Sequence, residues 1–139
     1  MKFPKPVKIK KKPKGLRKHS ARPIAKLKKE AWRVFSLFIR NRDNWTCYTC
    51  GSRIKGAGMH AGHFISRTKL STFFDEMNVH AQCYPCNIFK KGNAGEYSYR
   101  LVEQYGPAEF YRLLERGRSL KPMGFTRQEL ENIITKYAL

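Results

Sequence analysis

The first strong pattern in the chain is a helical one, running from Pro23 to about Arg42. Large apolar side chains recur there every three or four positions, with lysines and arginines between them. Pro23 suits the first turn of such a helix, because the N–H that proline lacks would have no helical partner there. The apolar stripe comprises Ile24, Leu27, Ala31, Val34, Phe35, Phe38 and Ile39. We predict an amphipathic helix that buries this stripe in the core and turns Arg40 and Arg42 outward.

Beyond this helix the pattern changes to short runs bounded by turn residues. Gly56-Ala-Gly58 separates two such runs and predicts a β-hairpin between residues 52–55 and 59–64. The elements predicted next are a loop over 65–77, a short strand or turn over Asn78–Gln82 and the start of a helix over Tyr84–Lys91. The middle of the chain is therefore expected to be small mixed α and β structure.

Three more helices are predicted in the C-terminal third. They cover about Gly95–Tyr105, Pro107–Arg116 and Arg127–Ala138. Gly106 would end the first of them, and Thr126 with Glu129 three residues later predicts a capping box at the start of the last. These helices are expected to complete the core or to form a dimer surface.

The charge of the chain is concentrated at its start. Residues 1–29 contain thirteen Lys and Arg residues and no Asp or Glu, in a chain of 139 residues. Residues 1–22 also interleave lysine with proline and glycine and have few large apolar side chains, which predicts a flexible basic arm. The rest, 23–139, would be one domain, with a core at 43–93 and a C-terminal helical part at 95–139.

A positive arm of this kind attracts polyanions, and DNA is the partner that we expect. The contacts expected in the arm are Lys10, Lys11, Lys12, Arg17 and Lys18. An acidic membrane surface and a merely solubilising role are the alternatives, and the first is disfavoured because the arm has no amphipathic apolar face. No window approaches the about 20 apolar residues of a membrane span, and no apolar signal core follows the start, so a cytoplasmic location is expected.

Two Cys-x-x-Cys pairs, Cys47/Cys50 and Cys83/Cys86, account for all four cysteines. Two-residue spacers turn both sulfurs of a pair toward one ion, so twin pairs predict a tetrahedral Zn²⁺ site. A redox Cys-x-x-Cys is the alternative, but it would not need a second pair. Four thiolates leave no position for water, so the zinc would be structural.

The segment between the pairs contains residues suited to phosphodiester hydrolysis. His63 could act as the base, since imidazole is half deprotonated near neutral pH. Asn78 could orient that base, and Asn87, directly after Cys86, could offer its carbonyl oxygen to Mg²⁺ or Mn²⁺. Each of these residues also has a plain explanation, as a surface histidine, a turn asparagine or a capping asparagine.

The order Cys-x-x-Cys, His, Asn, Cys-x-x-Cys-Asn-x-x-Lys resembles the HNH, or His-Me finger, nucleases. The segments Ala61-Gly-His-Phe64, Phe74-Asp-Glu76, Asn78-Val-His80, Gln82-Cys-Tyr-Pro-Cys-Asn87 and Lys91-Gly-Asn93 resemble the phage NinG (Rap) family, which is similar in outline to the phage resolvase endonuclease VII. The likeness covers roughly Asp43 to Gly106. It implies an α+β fold in which a ββα-metal core, held by the zinc site, lies between the N-terminal helix and the C-terminal helices.

The resemblance also implies an activity, namely metal-dependent cutting of branched DNA, such as Holliday junctions or D-loops, in phage recombination. His63 would be the base, Asn78 the orienting group and Asn87 a Mg²⁺ ligand, with His80, Lys90 and Lys91 as supporting contacts. The location would be the host cytoplasm. Symmetric cutting of a four-way junction favours a homodimer.

The chain departs from the HNH pattern at two positions. Many HNH sites have a metal-binding Asp or His directly before the base, and here that residue is Gly62. His60 is the first candidate for the missing ligand, because strand alternation puts it on the same face as residue 62, and Asp75 is the second. Phe73 stands where an Arg is expected, which would weaken a phosphate contact.

Two other functions fit part of the sequence. A non-catalytic zinc module that only binds nucleic acid would explain the charge and the cysteines, but it leaves the arrangement of His63, Asn78 and Asn87 unexplained. An HNH nuclease with another target, whether homing, restriction or nonspecific, would share the same site residues.

Overall fold

The computed structural model describes residues 21–139. These residues fold into a mixed α+β protein with one small antiparallel sheet surrounded by helices. In chain order the main elements are α1 (Ile24–Arg42), β1 (Met59–His63), β2 (Val79–Cys83), a single π-helical turn (Pro85–Phe89), α2 (Ala94–Tyr105), α3 (Pro107–Arg118) and α4 (Arg127–Tyr137). Short 3₁₀ turns at Gly56–Gly58 and Leu70–Thr72 flank β1. The predicted basic arm lies almost wholly outside the described residues.

The sheet consists of β1 and β2, which pair antiparallel from Met59 opposite Cys83 to His63 opposite Val79. The predicted hairpin between residues 52–55 and 59–64 is therefore wrong. Arg53 forms only an isolated bridge with Thr46. Residues 52–55 have largely exposed side chains, whereas all five residues of β2 are buried, so β1 gains far more by pairing with β2.

The other edge of β2 is closed by the end of α1. The Arg42 guanidinium donates to the backbone oxygens of Glu76 (2.7 Å) and Val79 (2.9 Å), and Asp43 Oδ2 accepts from the backbone N–H of Ala81 (2.7 Å). Arg42 and Asp43 also form an ion pair at 2.7 Å. The prediction that Arg42 faces outward is wrong, because its side chain satisfies the strand edge instead.

The predicted stripe of α1 forms the core except at Ile24, which is exposed in the first turn of the helix. Phe35 and Ile39 are fully buried and lie with Val34 against Val79 of the sheet and Tyr137 of α4. Leu27 and Ala31, one to two turns earlier, pack on Leu130 of α4. The long first helix is thereby held between the sheet and the last helix.

The three C-terminal helices follow the sequence prediction closely. Gly106 separates α2 from α3 with φ +84°, a conformation that favours glycine. Thr126 and Glu129 form the predicted capping box at the start of α4. Tyr97, Leu101 and Leu113 form a second buried cluster between α2 and α3. None of the helices in residues 21–139 has the length and apolar character needed to cross a membrane.

Candidate metal centre and cleft

The four cysteines come together at one end of the sheet. Their Sγ atoms all lie within 4.8 Å of one another, and those of Cys50 and Cys83 are 3.7 Å apart. A tetrahedral ion with Zn–S bonds of about 2.3 Å separates its sulfurs by about 3.8 Å, so the spacing fits such an ion. The predicted cluster is confirmed as a site that could hold a metal ion such as zinc.

The local backbone explains how each pair presents its sulfurs. Gly51, at φ +76°, follows Cys50, and its N–H donates to the Cys47 oxygen at 2.8 Å to close a tight turn. Cys83 ends β2, and Cys86 lies in the π-helical turn that follows. An ion held here would join the loop after α1 to the sheet and would also locate Asn87, the next residue.

The His63 ring lies against α1 rather than in open solvent. It stacks on Trp32 with ring centroids 5.1 Å apart, and it contacts Phe73 at 5.1 Å. Its Nε2 is 3.0 Å from the Phe73 carbonyl oxygen. Because a carbonyl oxygen only accepts, Nε2 carries the proton, and Nδ1 of the neutral ring has a free lone pair.

The surroundings of His63 keep its ring neutral. Burial, the largest cause, together with the nearby Arg67 charge, lowers the pKa of His63 to about 4, although the Phe73 carbonyl acts in the opposite direction. At neutral pH the imidazole is therefore unprotonated at Nδ1. The ring is therefore not half deprotonated near neutral pH, as its ordinary pKa would predict, but fully neutral. It can accept a proton at Nδ1, yet a pKa of about 4 makes it a weak base.

Asn78 holds the loop next to His63 and does not bond the ring itself. Its Oδ1 accepts from the Ile65 N–H at 2.6 Å, and its Nδ2 donates to the oxygens of Ile65 and Thr72, each at 3.0 Å. The side chain is fully buried. Since the Phe73 carbonyl follows directly after Thr72, Asn78 acts on His63 through this loop.

Asn87 lies on the other face of the sheet, beside His60. Its Nδ2 is 2.9 Å from His60 Nδ1, so the imidazole accepts a hydrogen bond from the amide. This hydrogen bond fixes the orientation of the Asn87 amide. The expected placement of His60 on the same face as Gly62 is confirmed by the strand register. The second candidate ligand, Asp75, lies elsewhere, paired with Arg116 at 2.8 Å.

A cleft of about 350 Å³ is lined by the Asn87 group and by two neighbours of His63, although His63 itself is not among its lining residues. His60 and Asn87 line one part of the cleft, and Trp32 and Arg67 line another. Trp32 stacks on His63, and the charge of Arg67 lowers the pKa of His63. Arg40 adds a second guanidinium to the wall. Trp32 and Arg67 were not predicted as site residues, because nothing in their local pattern marks them as neighbours of His63. Arg40 was expected to face outward, but its guanidinium is half-buried and donates to the backbone oxygens of Ser36 (3.1 Å) and Met59 (3.4 Å).

Arg67 also bears on the departure noted at Phe73. Its guanidinium lies 5.7 Å from the ring centroids of both Phe73 and Trp32. Position 73, where an arginine was expected, is thus a phenylalanine, and Arg67 packs on its ring. A positive group is therefore present at this part of the cleft, although it comes from another residue.

His80 does not lie in the cleft. It is 1% exposed, stacks on Tyr48 with centroids 3.8 Å apart, and lies 3.2 Å and 3.3 Å from the hydroxyls of Tyr97 and Tyr105. Its expected supporting role at the site is wrong, because a ring enclosed by three tyrosines cannot reach a ligand there. Lys90 and Lys91 are exposed just after the π-helical turn, whereas Lys10, Lys11, Lys12, Arg17 and Lys18 lie outside the described residues.

The described residues thus define a small α+β protein with a two-stranded sheet and a four-cysteine site for a metal ion such as zinc. The chain belongs to the bacteriophage family described as Bacteriophage Lambda NinG protein, whose sequence profile matches residues 2–139.

Relatives named Protein ninG occur in several phages. The protein of Salmonella phage P22 is 37% identical over 95 residues, which are 67% of this chain and 46% of the relative. The protein of Escherichia phage 933W is 36% identical over 93 residues, which are 66% of this chain and 46% of the relative. The protein of Escherichia phage lambda is 35% identical over 93 residues, which are 66% of this chain and 45% of the relative. The chain spans about half the length of the curated relatives it matches. No solved structure matches it.

Proposed function

We propose that the protein is a metal-dependent DNA endonuclease of the HNH type. The observation that carries the proposal is the 3.0 Å contact of His63 Nε2 with the Phe73 carbonyl. It leaves Nδ1 unprotonated in a ring whose neighbours Trp32 and Arg67 line the same cleft as Asn87. The order of the elements, two antiparallel strands and then a helical turn beside a four-cysteine cluster, supports the same proposal.

His63 would act as the general base. Its Nδ1 accepts a proton from water, and the resulting hydroxide attacks the phosphorus of the scissile phosphodiester. The hydrogen bond to Phe73 keeps the ring in the correct tautomer while the proton moves. Trp32 limits the rotation of the imidazole by stacking on it.

Asn87 Oδ1 would hold Mg²⁺ or Mn²⁺. Within the described part of the chain this oxygen accepts no hydrogen bond, and amide oxygens suit these hard cations, so the residue fits the ion. When bound, the ion supplies positive charge that stabilises the phosphate and the departing 3′ oxygen. Asn87 alone leaves the site short of protein oxygens, because Gly62 has no side chain and Asp75 is paired elsewhere.

Positive side chains would hold the DNA backbone at the cleft. Arg40 and Arg67 line it, and Lys90 and Lys91 lie on the exposed side of the π-helical turn. The arm residues Lys10, Lys11, Lys12, Arg17 and Lys18 would add phosphate contacts. Deleting residues 2–18 should therefore flatten the salt dependence of DNA binding, and an unchanged slope would contradict this role.

Branched DNA is the substrate that we propose, on the basis of the family resemblance. No base-reading helix can be identified in the sequence, so selectivity would come from shape and from the ease of bending a branch. Cutting a four-way junction symmetrically would need two copies of the chain, which favours a homodimer.

The decisive experiment is cleavage of a labelled four-way junction beside a matched linear duplex, in Mg²⁺ or Mn²⁺. We expect faster cutting of the junction, no cutting after EDTA treatment, and a loss of about 10²–10⁴ in rate for His63→Ala with binding retained. Normal cutting by His63→Ala would contradict the proposed base. Equal cutting of both substrates would contradict only the junction preference.

One observation favours a non-catalytic zinc module instead. The residues lining the cleft include no Asp or Glu in the described part of the chain, although HNH sites often use a carboxylate. Such a module would bind DNA equally well with or without Mg²⁺ and would never nick it. The experiment above separates the two functions, since only the nuclease depends on His63.

A further inference from the structure

Gln82 has a buried oxygen without a partner. The residue is fully buried near the end of β2, and its Oε1 has no hydrogen bond within the described chain. Leaving an amide oxygen unpaired in the interior destabilises the fold. Buried polar atoms of this kind usually have a partner, so this oxygen calls for a bound water, a ligand or an ion.

The amide orientation of Gln82 is determined by its other end. Nε2 lies 2.8 Å from the Gly92 carbonyl oxygen, which only accepts, and 3.3 Å from the Thr49 hydroxyl. Flipping the amide would place Oε1 against the Gly92 oxygen and lose this hydrogen bond. Oε1 is therefore held pointing toward β1.

That oxygen occupies the space that a side chain at residue 62 would take. A Cβ built on Gly62 would lie 2.1 Å from Gln82 Oε1 and 3.1 Å from Asn87 Oδ1. Gln82 lies opposite His60 in the sheet, so its side chain reaches diagonally to Gly62. Two amide oxygens from different elements thus face the same point.

We propose that Gln82 Oε1 is the second protein oxygen for the divalent cation held by Asn87, and that it replaces the side chain that Gly62 lacks. This inference rests on the proposed nuclease function. Mg²⁺ and Mn²⁺ take oxygen ligands and keep several waters, so two neutral amides form a weak but chemically suitable site.

His60 then has a different role from the one expected for it. Its Nδ1 accepts from Asn87 Nδ2 at 2.9 Å, which turns the Asn87 oxygen away from the imidazole. His60 is thus a positioning residue for Asn87, and the ligand pair is Asn87 with Gln82. The arrangement also explains why residue 62 is glycine, since any Cβ would collide with the Gln82 oxygen.

The test measures Mn²⁺ binding to the zinc-loaded chain of 139 residues without DNA. The electron paramagnetic resonance signal of free Mn²⁺ reports how much of the ion is bound. Gln82→Leu removes the oxygen, and Gly62→Ala pushes a methyl group into it. Both should weaken Mn²⁺ binding about tenfold or more, the size of effect seen even for groups that only orient a metal ligand. Gly95→Ala is the matched control, because its added Cβ meets no atom within 4 Å.

A compensating variant keeps the test decisive if Gln82→Leu does not fold. Gly62→Asp combined with Gln82→Ala clears the collision and returns a carboxylate to the same space, so it should bind Mn²⁺ at least as tightly as the wild type. A folded double variant that binds no Mn²⁺, or a Gln82→Leu protein that binds it normally, would overturn the inference.

The behaviour of the wild-type protein shows whether the role of Gln82 or the proposed nuclease function has failed. If it binds Mn²⁺ and nicks DNA while Gln82→Leu behaves identically, only the role of Gln82 is wrong. If the wild type neither binds Mn²⁺ nor nicks DNA in its presence, the nuclease proposal fails and the Gln82 inference fails with it.

Discussion

The indole of Trp32 and the imidazole of His63 stack with their centroids 5.1 Å apart and their planes 18° from parallel. This contact makes α1 one wall of the candidate site as well as part of the core. It also contributes to the burial that keeps His63 neutral. Mutations of α1 near Trp32 are therefore expected to change the chemistry of His63 as well as the stability of the fold.

The pH dependence of stability should reveal the buried His63. Its pKa is about 4 in the folded protein and about 6.5 when unfolded, so the unfolded chain binds the proton more tightly. The contribution of the neutral His63 ring to the free energy of unfolding is fully present above about pH 6.5, and it is lost as the pH falls toward 4. At pH 5 the loss is about 2 kcal/mol.

His63→Ala is the comparison that isolates this effect. Urea unfolding of both proteins at pH 7.5 and pH 5 should show that the wild type loses about 2 kcal/mol more than the variant on acidification. The other titrating groups remain in both chains and largely cancel in the difference. Parallel losses in the two proteins would show that the His63 ring is not buried as described.

Asn78→Ala should loosen the loop that orients His63. The substitution leaves the Ile65 N–H and the oxygens of Ile65 and Thr72 without their partner, which should cost about 1–3 kcal/mol. The freed loop should also release His63 Nε2, and ¹⁵N NMR of the ring would then show a mixture of tautomers. Asn132→Ala, at an exposed asparagine of α4, is the control and should change stability by less than about 0.5 kcal/mol. A single Nε2–H tautomer in Asn78→Ala would argue against this role.

Removal of the metal should unfold the centre of the chain. Cys86→Ser takes away one of four clustered sulfurs, and a structural zinc site of this kind contributes to folding directly. We expect loss of bound zinc, exposure of Met59 and Ala81 beside the cluster, and a lower melting temperature. Zinc content by atomic absorption and circular dichroism would measure these effects. One zinc per chain and an unchanged melting curve in Cys86→Ser would contradict the prediction.

Arg67→Ala should weaken DNA binding and change His63 slightly. Loss of one phosphate contact should reduce the slope of log affinity against log salt by about 0.9. Because the Arg67 charge lowers the pKa of His63, that pKa should rise in the variant. Arg118→Ala, at an exposed arginine ending α3, is the matched control for charge. An equal change of slope in both variants would mean that Arg67 acts only through net charge.

Much of the fold was predictable because it depends on residues close together in the chain. The stripe of α1, the glycine between α2 and α3 and the Thr126–Glu129 capping box all follow from spacings of three or four residues. The twin Cys-x-x-Cys pairs predicted a cluster, because the sulfurs of each pair turn toward one ion whatever lies between the pairs.

Tertiary structure decided the features that require a choice between distant partners. β1 pairs with β2 rather than with residues 52–55, since only β2 offers fully buried positions. In the same way, His80 became an interior ring among tyrosines, and His63 acquired its hydrogen bond to Phe73. The sequence alone determined which residue types are available for chemistry. Their orientation came from packing, because a side chain on a strand turns toward whichever neighbours cover its face, and the approach of Gln82 to Gly62 exists only once that sheet has formed.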